Sequence, residues 1–132
     1  MKLLLSGNST SPLVLFDLQA GFLSMAGVST MPDASLFYEQ LAHWLKDHSA
    51  LINSQTELVM TLRFINSASM RALYQFLREI KEARLPLRIV ITHLESSDNS
   101  DVVEFFQEVC RILDLPCEIR RASSEEETPF SS

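Results

Sequence analysis

The chain is predicted to fold as an α/β domain on a mixed β-sheet, with an N-terminal hairpin and about three helices in the order ββαβαβαβ. Three observations carry this. Short runs with strand periodicity lie at 57–64 and 87–94, and segments with three- and four-residue apolar spacing lie at 33–48, 70–84 and 101–114. From residue 33 onward the two kinds of segment alternate, which favours parallel strands joined by helical crossovers. The length of 132 residues suits one such domain with a real core.

Residues 1–11 end in the polar stretch Ser6-Gly7-Asn8-Ser9-Thr10-Ser11 and are expected to be a flexible lead-in. Leu13 to Leu18 is a β-type run, Gln19-Ala20-Gly21 a turn, and Phe22 to Ala26 a second strand. Gly27 to Pro32 is expected as a loop. The first helix is placed from Asp33 to His48, with Phe37, Leu41, Trp44, Leu45 and His48 on its inward face. In the following strand Leu58, Met60, Leu62 and Phe64 alternate toward the core. Met70, Leu73, Phe76, Leu77, Ile80 and Arg84 mark a second helix, which Leu85-Pro86 ends. Leu87 to Leu94 is rich in β-branched residues and partly apolar on both faces, as a central strand would be.

Glu95 to Ser100 is an acidic loop. A third helix runs from Asp101 to Asp114, with Asp101 and Glu104 spaced as a capping box, and Cys117 to Arg121 can form a last strand. The folded domain is therefore expected to span 12–121, and 122–132 is an acidic, apolar-poor tail expected to be disordered.

Composition excludes several function classes. A net charge of −6 with scattered Lys and Arg does not suit a nucleic-acid surface. No apolar run approaches the ~20 residues that span a bilayer, and Lys2-Leu3-Leu4-Leu5 is too short for a signal-peptide core, so no membrane contact and a cytoplasmic location are expected. Cys110 and Cys117 fit neither a disulfide framework nor a zinc motif. His43 and His48 are five apart and do not share a helix face as a metal-binding pair would. The acidic loop with Glu95, Asp98 and Asp101 lacks the glycine and distal Glu of a calcium loop. Gly7, Gly21 and Gly27 do not form a phosphate-cradling loop. No catalytic residue, metal or cofactor is expected.

What remains is Arg63-Phe64-Ile65-Asn66-Ser67-Ala68-Ser69-Met70, where strand periodicity gives way to helix periodicity through small hydroxyl residues. Ser67 or Ser69 can cap the helix beginning near Met70. A hydroxyl at the same turn can also accept a phosphoryl group, whose added charge the helix end stabilises.

Over residues 10–121 the chain resembles the SiaC family of bacterial regulatory phosphoproteins. The resemblance rests on Ser11-Pro12 followed by Val14-Leu15-Phe16-Asp17, on Gly21-Phe22-Leu23 through Gly27, on Phe37-Tyr38 and Trp44-Leu45, and on Ile65-Asn66-Ser67-Ala68-Ser69. The acidic loop Glu95 to Asp101 and Pro116-Cys117 complete it. It implies a fold similar to anti-sigma-factor antagonists and a non-enzymatic role in partner switching. By position Ser67 falls on the family's phosphorylated Thr. The implied partners are a protein kinase, a phosphatase and, for the unphosphorylated form, a diguanylate cyclase or other signalling enzyme. Asn66, Ser67, Ala68, Ser69 and Arg71 are the expected partner-binding residues. Ala68 stands where the family has a serine, and Val28 to Asp33 keeps only the serine of the family's Arg-Ser-Tyr-Pro-Glu-Asn stretch. Two alternatives are a switch in transcription control and a small enzyme using the acidic loop and His93.

Overall fold

The computed structural model describes residues 1–96 and 98–122. Six strands form one sheet in chain order: β1 (Lys2–Leu5), β2 (Leu13–Asp17), β3 (Phe22–Ser29), β4 (Glu57–Ile65), β5 (Arg88–Leu94) and β6 (Cys117–Ala122). The first three pair antiparallel, and β3 through β6 pair parallel. Each parallel step is bridged by a helix: α1 (Ala34–Asp47), α2 (Ser67–Glu82) and α3 (Ser100–Leu113). A short 3-10 turn, Ser49–Leu51, follows α1.

The buried residues of the three helices share one apolar core with Val14, Phe16, Leu23, Met25, Leu58, Met60, Ile89 and Ile91, the strand positions that face them. Successive right-handed crossovers advancing in one direction place their helices on one side of the sheet. The expected α/β class and mixed sheet are present, with one strand more than expected.

That extra strand is β1, and it corrects the flexible lead-in. Leu3 and Leu5 pair with Phe16 and Val14 and pack against the core, so the segment buries apolar surface that a mobile arm would leave in water. The return to β2 is tight. Asn8 Oδ1 accepts the amides of Thr10 and Ser11 at 2.8 and 2.9 Å, and a Cβ on Gly7 would lie 2.8 Å from the Leu13 nitrogen. At the other end, Ala122 belongs to β6 rather than to the acidic tail, and 123–132 lie outside the described residues.

Two phase expectations also change. In α1 the buried positions are Ala34, Tyr38, Leu41, Ala42 and Leu45, whereas Phe37 and Trp44 sit half-buried on the shoulder. In β4 the pairing with β3 steps from Gly27↔Leu62 to Val28↔Phe64, so Arg63 is bulged out. The extra residue reverses the alternation: Ile65 turns inward at 4% exposure and Phe64 outward at 58%. The expected loop from Gly27 is, as far as Ser29, the continuation of β3 opposite this bulge.

Candidate functional site

The bulge delivers β4 into α2 through Asn66. This residue is extended, at φ −95° and ψ 177°, and its amide donates to the Ser29 carbonyl at 3.1 Å. Its side-chain oxygen accepts the Ser69 amide at 2.9 Å, and its carbonyl accepts the Met70 amide at 2.9 Å. Asn66 is therefore the N-cap, and the helix starts three residues before Met70. The expectation that Ser67 or Ser69 is the cap is corrected accordingly. Asn ranks with Ser as a cap, so residue type alone left the starting residue open.

The two serines occupy different environments. Ser67, the first helical residue, is exposed. Ser69 is fully buried, and its hydroxyl accepts from Ser29 Oγ at 2.8 Å. Ser29 Oγ in turn accepts from the Tyr38 hydroxyl at 2.7 Å. Burial raises the Tyr38 phenol well above its ordinary value, an effect the bond to Ser29 partly offsets. This chain of three hydroxyls ties β3, α1 and α2 together beneath the junction. Ala68 is half-buried against the core, and Arg71 is exposed one turn beyond Ser67.

A second polar clasp, not foreseen from the sequence, steadies the same strand end. Asn99 is 2% exposed. Its Oδ1 accepts the Leu94 amide at 2.7 Å, and its Nδ2 donates to the Leu62 and Thr92 carbonyls, each at 2.9 Å. Beside it Thr61 and Thr92 hydroxyls bond at 2.9 Å. Asn99 thus joins the C-terminal ends of β4 and β5 just before the Arg63 bulge. It also occupies the N-cap position of α3, which corrects the capping box expected at Asp101. The only sequence signal was an Asn among acidic residues, which reads equally well as a solvated loop.

The residues of the alternative reading lie as follows. His93 is half-buried in β5, and His43 is exposed. His48 Nδ1 lies 2.8 Å from the Trp44 carbonyl, its ring 4.4 Å from the indole. Asp98 is exposed and accepts the Ser100 hydroxyl at 2.5 Å. Among the described residues no three His, Cys, Asp or Glu side chains gather as a metal site would require. No helix of the described residues is long and apolar enough to cross a membrane.

Comparison with known proteins agrees with this architecture. The model of the SiaC family of regulatory phosphoproteins matches residues 5–122. The crystal structure of apo-SiaC from Pseudomonas aeruginosa superposes with a TM-score of 0.74 at 25% identity, covering 91% of this chain and 98% of that one. A chain in the crystal structure of the diguanylate cyclase SiaD in complex with its activator SiaC, also from Pseudomonas aeruginosa, gives 0.75 at 25% identity, covering 91% and 99%. A further SiaC structure from that organism, at 23% identity and a TM-score of 0.73, shares the fold. The search of curated proteins gives no significant match. With a family model covering nearly all of the folded region and solved members that share the overall fold, the chain belongs to the SiaC family of regulatory phosphoproteins.

Proposed function

We propose that this protein is a phosphorylation-gated, non-enzymatic activator of a diguanylate cyclase in a cytoplasmic partner-switching pathway. Ser67 is the phosphoacceptor: a protein kinase adds the phosphoryl group, a phosphatase removes it, and the unphosphorylated form binds the cyclase. The observation that carries this reading is the contrast at the head of α2. Ser67 is exposed and uncommitted to capping, whereas Ser69 is buried and hydrogen-bonded. Only the former can enter a kinase active site without unfolding the helix. The complex of SiaC with SiaD supports the choice of a cyclase as the partner class.

The test is an affinity purification from native lysate with Ser67→Ala and Ser67→Asp baits, combined with phosphopeptide mapping of the native protein. A cyclase recovered with the Ala bait and depleted with the Asp bait, with phosphate on Ser67, is the expected result. Phosphate on Ser69 alone, or a cyclase held equally by both baits, would refute it.

A further inference from the structure

The connection from α3 to β6, residues 114–116, reverses the chain tightly. Asp114 takes the left-handed conformation at φ 53°, and the Leu115 amide closes back on the Cys110 carbonyl at 2.8 Å. Lys81 Nζ of α2 donates to the Asp114 carbonyl at 2.7 Å and holds the turn from outside. Pro116 fixes its own φ, and β6 then begins at Cys117, in register with Ile89. Cys110 lies on the buried face of the last turn of α3, and Cys117 is the first core-facing position of β6. The turn therefore aims the two side chains at each other across the foot of the helix–sheet interface. Both line one cleft of about 340 Å³ that opens to solvent. Cys110 is buried and Cys117 half-buried, and a second cleft reaches Cys117 from the β5 side, past Leu87. Burial and the nearby Cys117 thiol both hold Cys110 protonated.

We infer that Cys110 and Cys117 form a redox modification site: hydrogen peroxide oxidises Cys117, and Cys110 resolves the product into a reversible intramolecular disulfide that ties α3 to β6. Cys117 is the accessible thiol and reacts first. Its thiolate attacks the peroxide, the S–O bond forms as the O–O bond breaks, and the departing hydroxide takes up a proton to leave as water. Cys117 is then a sulfenic acid. The Cys110 sulfur attacks the Cys117 sulfur, the S–S bond forms as the S–O bond breaks, and the Cys110 proton leaves with the hydroxide as a second water. Peroxide is reduced, the thiol pair is oxidised, and a dithiol reductant reverses the bond. Disulfides of this kind, where they occur in reducing compartments, are mostly transient and redox-sensing. A resolving thiol held beside Cys117 also diverts the sulfenic acid from irreversible oxidation. The pair lies at the N-terminal end of the parallel strands, opposite the Ser67 end, and does not depend on the role of Ser67.

The experiment treats the reduced, folded, full-length protein with hydrogen peroxide, then counts free thiols by alkylation after denaturation, with intact mass and peptide mapping. Wild type should lose both alkylatable thiols and about 2 Da, the two thiol hydrogens. The map should join Cys110 to Cys117 within one chain, and dithiothreitol should restore both thiols. The oxidised form should melt about 5 °C or more above the reduced form, because the bond closes a loop in the unfolded chain. Cys110→Ala should stop at a sulfenic acid on Cys117, captured by dimedone, and Cys117→Ala should react at least about tenfold more slowly than wild type. Should Cys110→Ala fail to fold, the wild-type map and Cys117→Ala decide the matter. Thiols that stay alkylatable, a disulfide between two chains, or wild-type Cys117 driven to sulfinic acid would each overturn the pair. A melting temperature that does not rise on oxidation would show that the folded geometry does not accept the bond, and would overturn it as well.

Discussion

Ser67 and Ser69 lie two positions apart on α2, a rotation of about 200° that turns one to solvent and the other to the core. Their substitutions should separate. Ser69→Ala leaves the Ser29 hydroxyl without its buried acceptor, and through it strains the Tyr38 contact, at a cost of about 1–3 kcal/mol. Asn66→Ala loses the cap at about 1 kcal/mol. Ser67→Ala, which removes neither, should fall within about 0.5 kcal/mol of wild type. Urea denaturation of the three variants measures the order, and Ser67→Ala costing as much as Ser69→Ala would contradict the environments described. The sequence identified this turn as the place to look, because a change of periodicity is visible without coordinates. It could not distinguish the serines, since the hydroxyl partner of Ser69, Ser29, is 40 residues away. The cysteines pose the same problem. Cys110 is buried at the end of α3, and burial, with Cys117 beside it, pushes its thiol from 9.0 up to about 12. Above pH 9 the unfolded chain releases a proton that the folded chain keeps, so stability falls as the pH rises from 9 toward 12, and Tyr38 acts in the same sense above 10.0. Denaturation midpoints should drop on going from about pH 8 to about pH 10.5, less so in Cys110→Ala. A midpoint that stays constant would show that both groups are solvated.

At the scale of elements, the helices and strands follow from periodicity, and the errors lie where a local irregularity resets it. The alternation from Leu58 to Leu62 was legible, but the Arg63 bulge was not, because a bulge leaves no mark on a hydrophobic pattern other than a misplaced Phe64. The phase of α1 was off by a fraction of a turn. An aromatic-rich face reads as inward, yet Trp44 lies on the shoulder, 5.8 Å from the Phe16 ring, while Leu45 is fully buried. Leu45→Ala should therefore cost about 2–5 kcal/mol, and Trp44→Ala should not exceed it despite the larger side chain. The reverse order in chemical denaturation would restore the phase read from the sequence. The end of α2 gives a gain instead of a loss. Arg84 sits at φ 55°, and beyond it the Leu85 amide closes back on the Ile80 carbonyl at 3.2 Å. Glycine adopts that left-handed conformation without a Cβ penalty, so Arg84→Gly should raise stability by about 0.5–1 kcal/mol. A lowered melting temperature would mean that the Arg84 side chain makes a contact worth more than the strain.

For the molecule as a whole, the question is whether phosphate acts by changing the fold or by changing what the fold can bind. Beneath Ser67 the junction is fixed from three directions: the Asn66 cap, the hydroxyl chain through Ser29 to Tyr38, and the Asn99 clasp on the ends of β4 and β5. None of these bonds uses the Ser67 side chain, so a group added there displaces no structural contact. The added charge of about −1.5 to −2 meets the positive end of α2, which stabilises it by roughly 0.3–1 kcal/mol. Phosphorylated protein should therefore keep its circular dichroism and melt at the same or a slightly higher temperature. Binding is a different matter. A partner seated across the head of α2 must desolvate the dianion or forgo the contact, and an uncompensated buried charge costs about 3–5 kcal/mol. At about 1.4 kcal/mol per decade, the affinity for the cyclase should fall at least about a hundredfold. Calorimetric titration of both forms, beside their melting curves, tests the two halves together. Equal affinities would end the gating mechanism, whereas a collapsed melting transition would show that the three restraints yield and that the switch works by unfolding the junction.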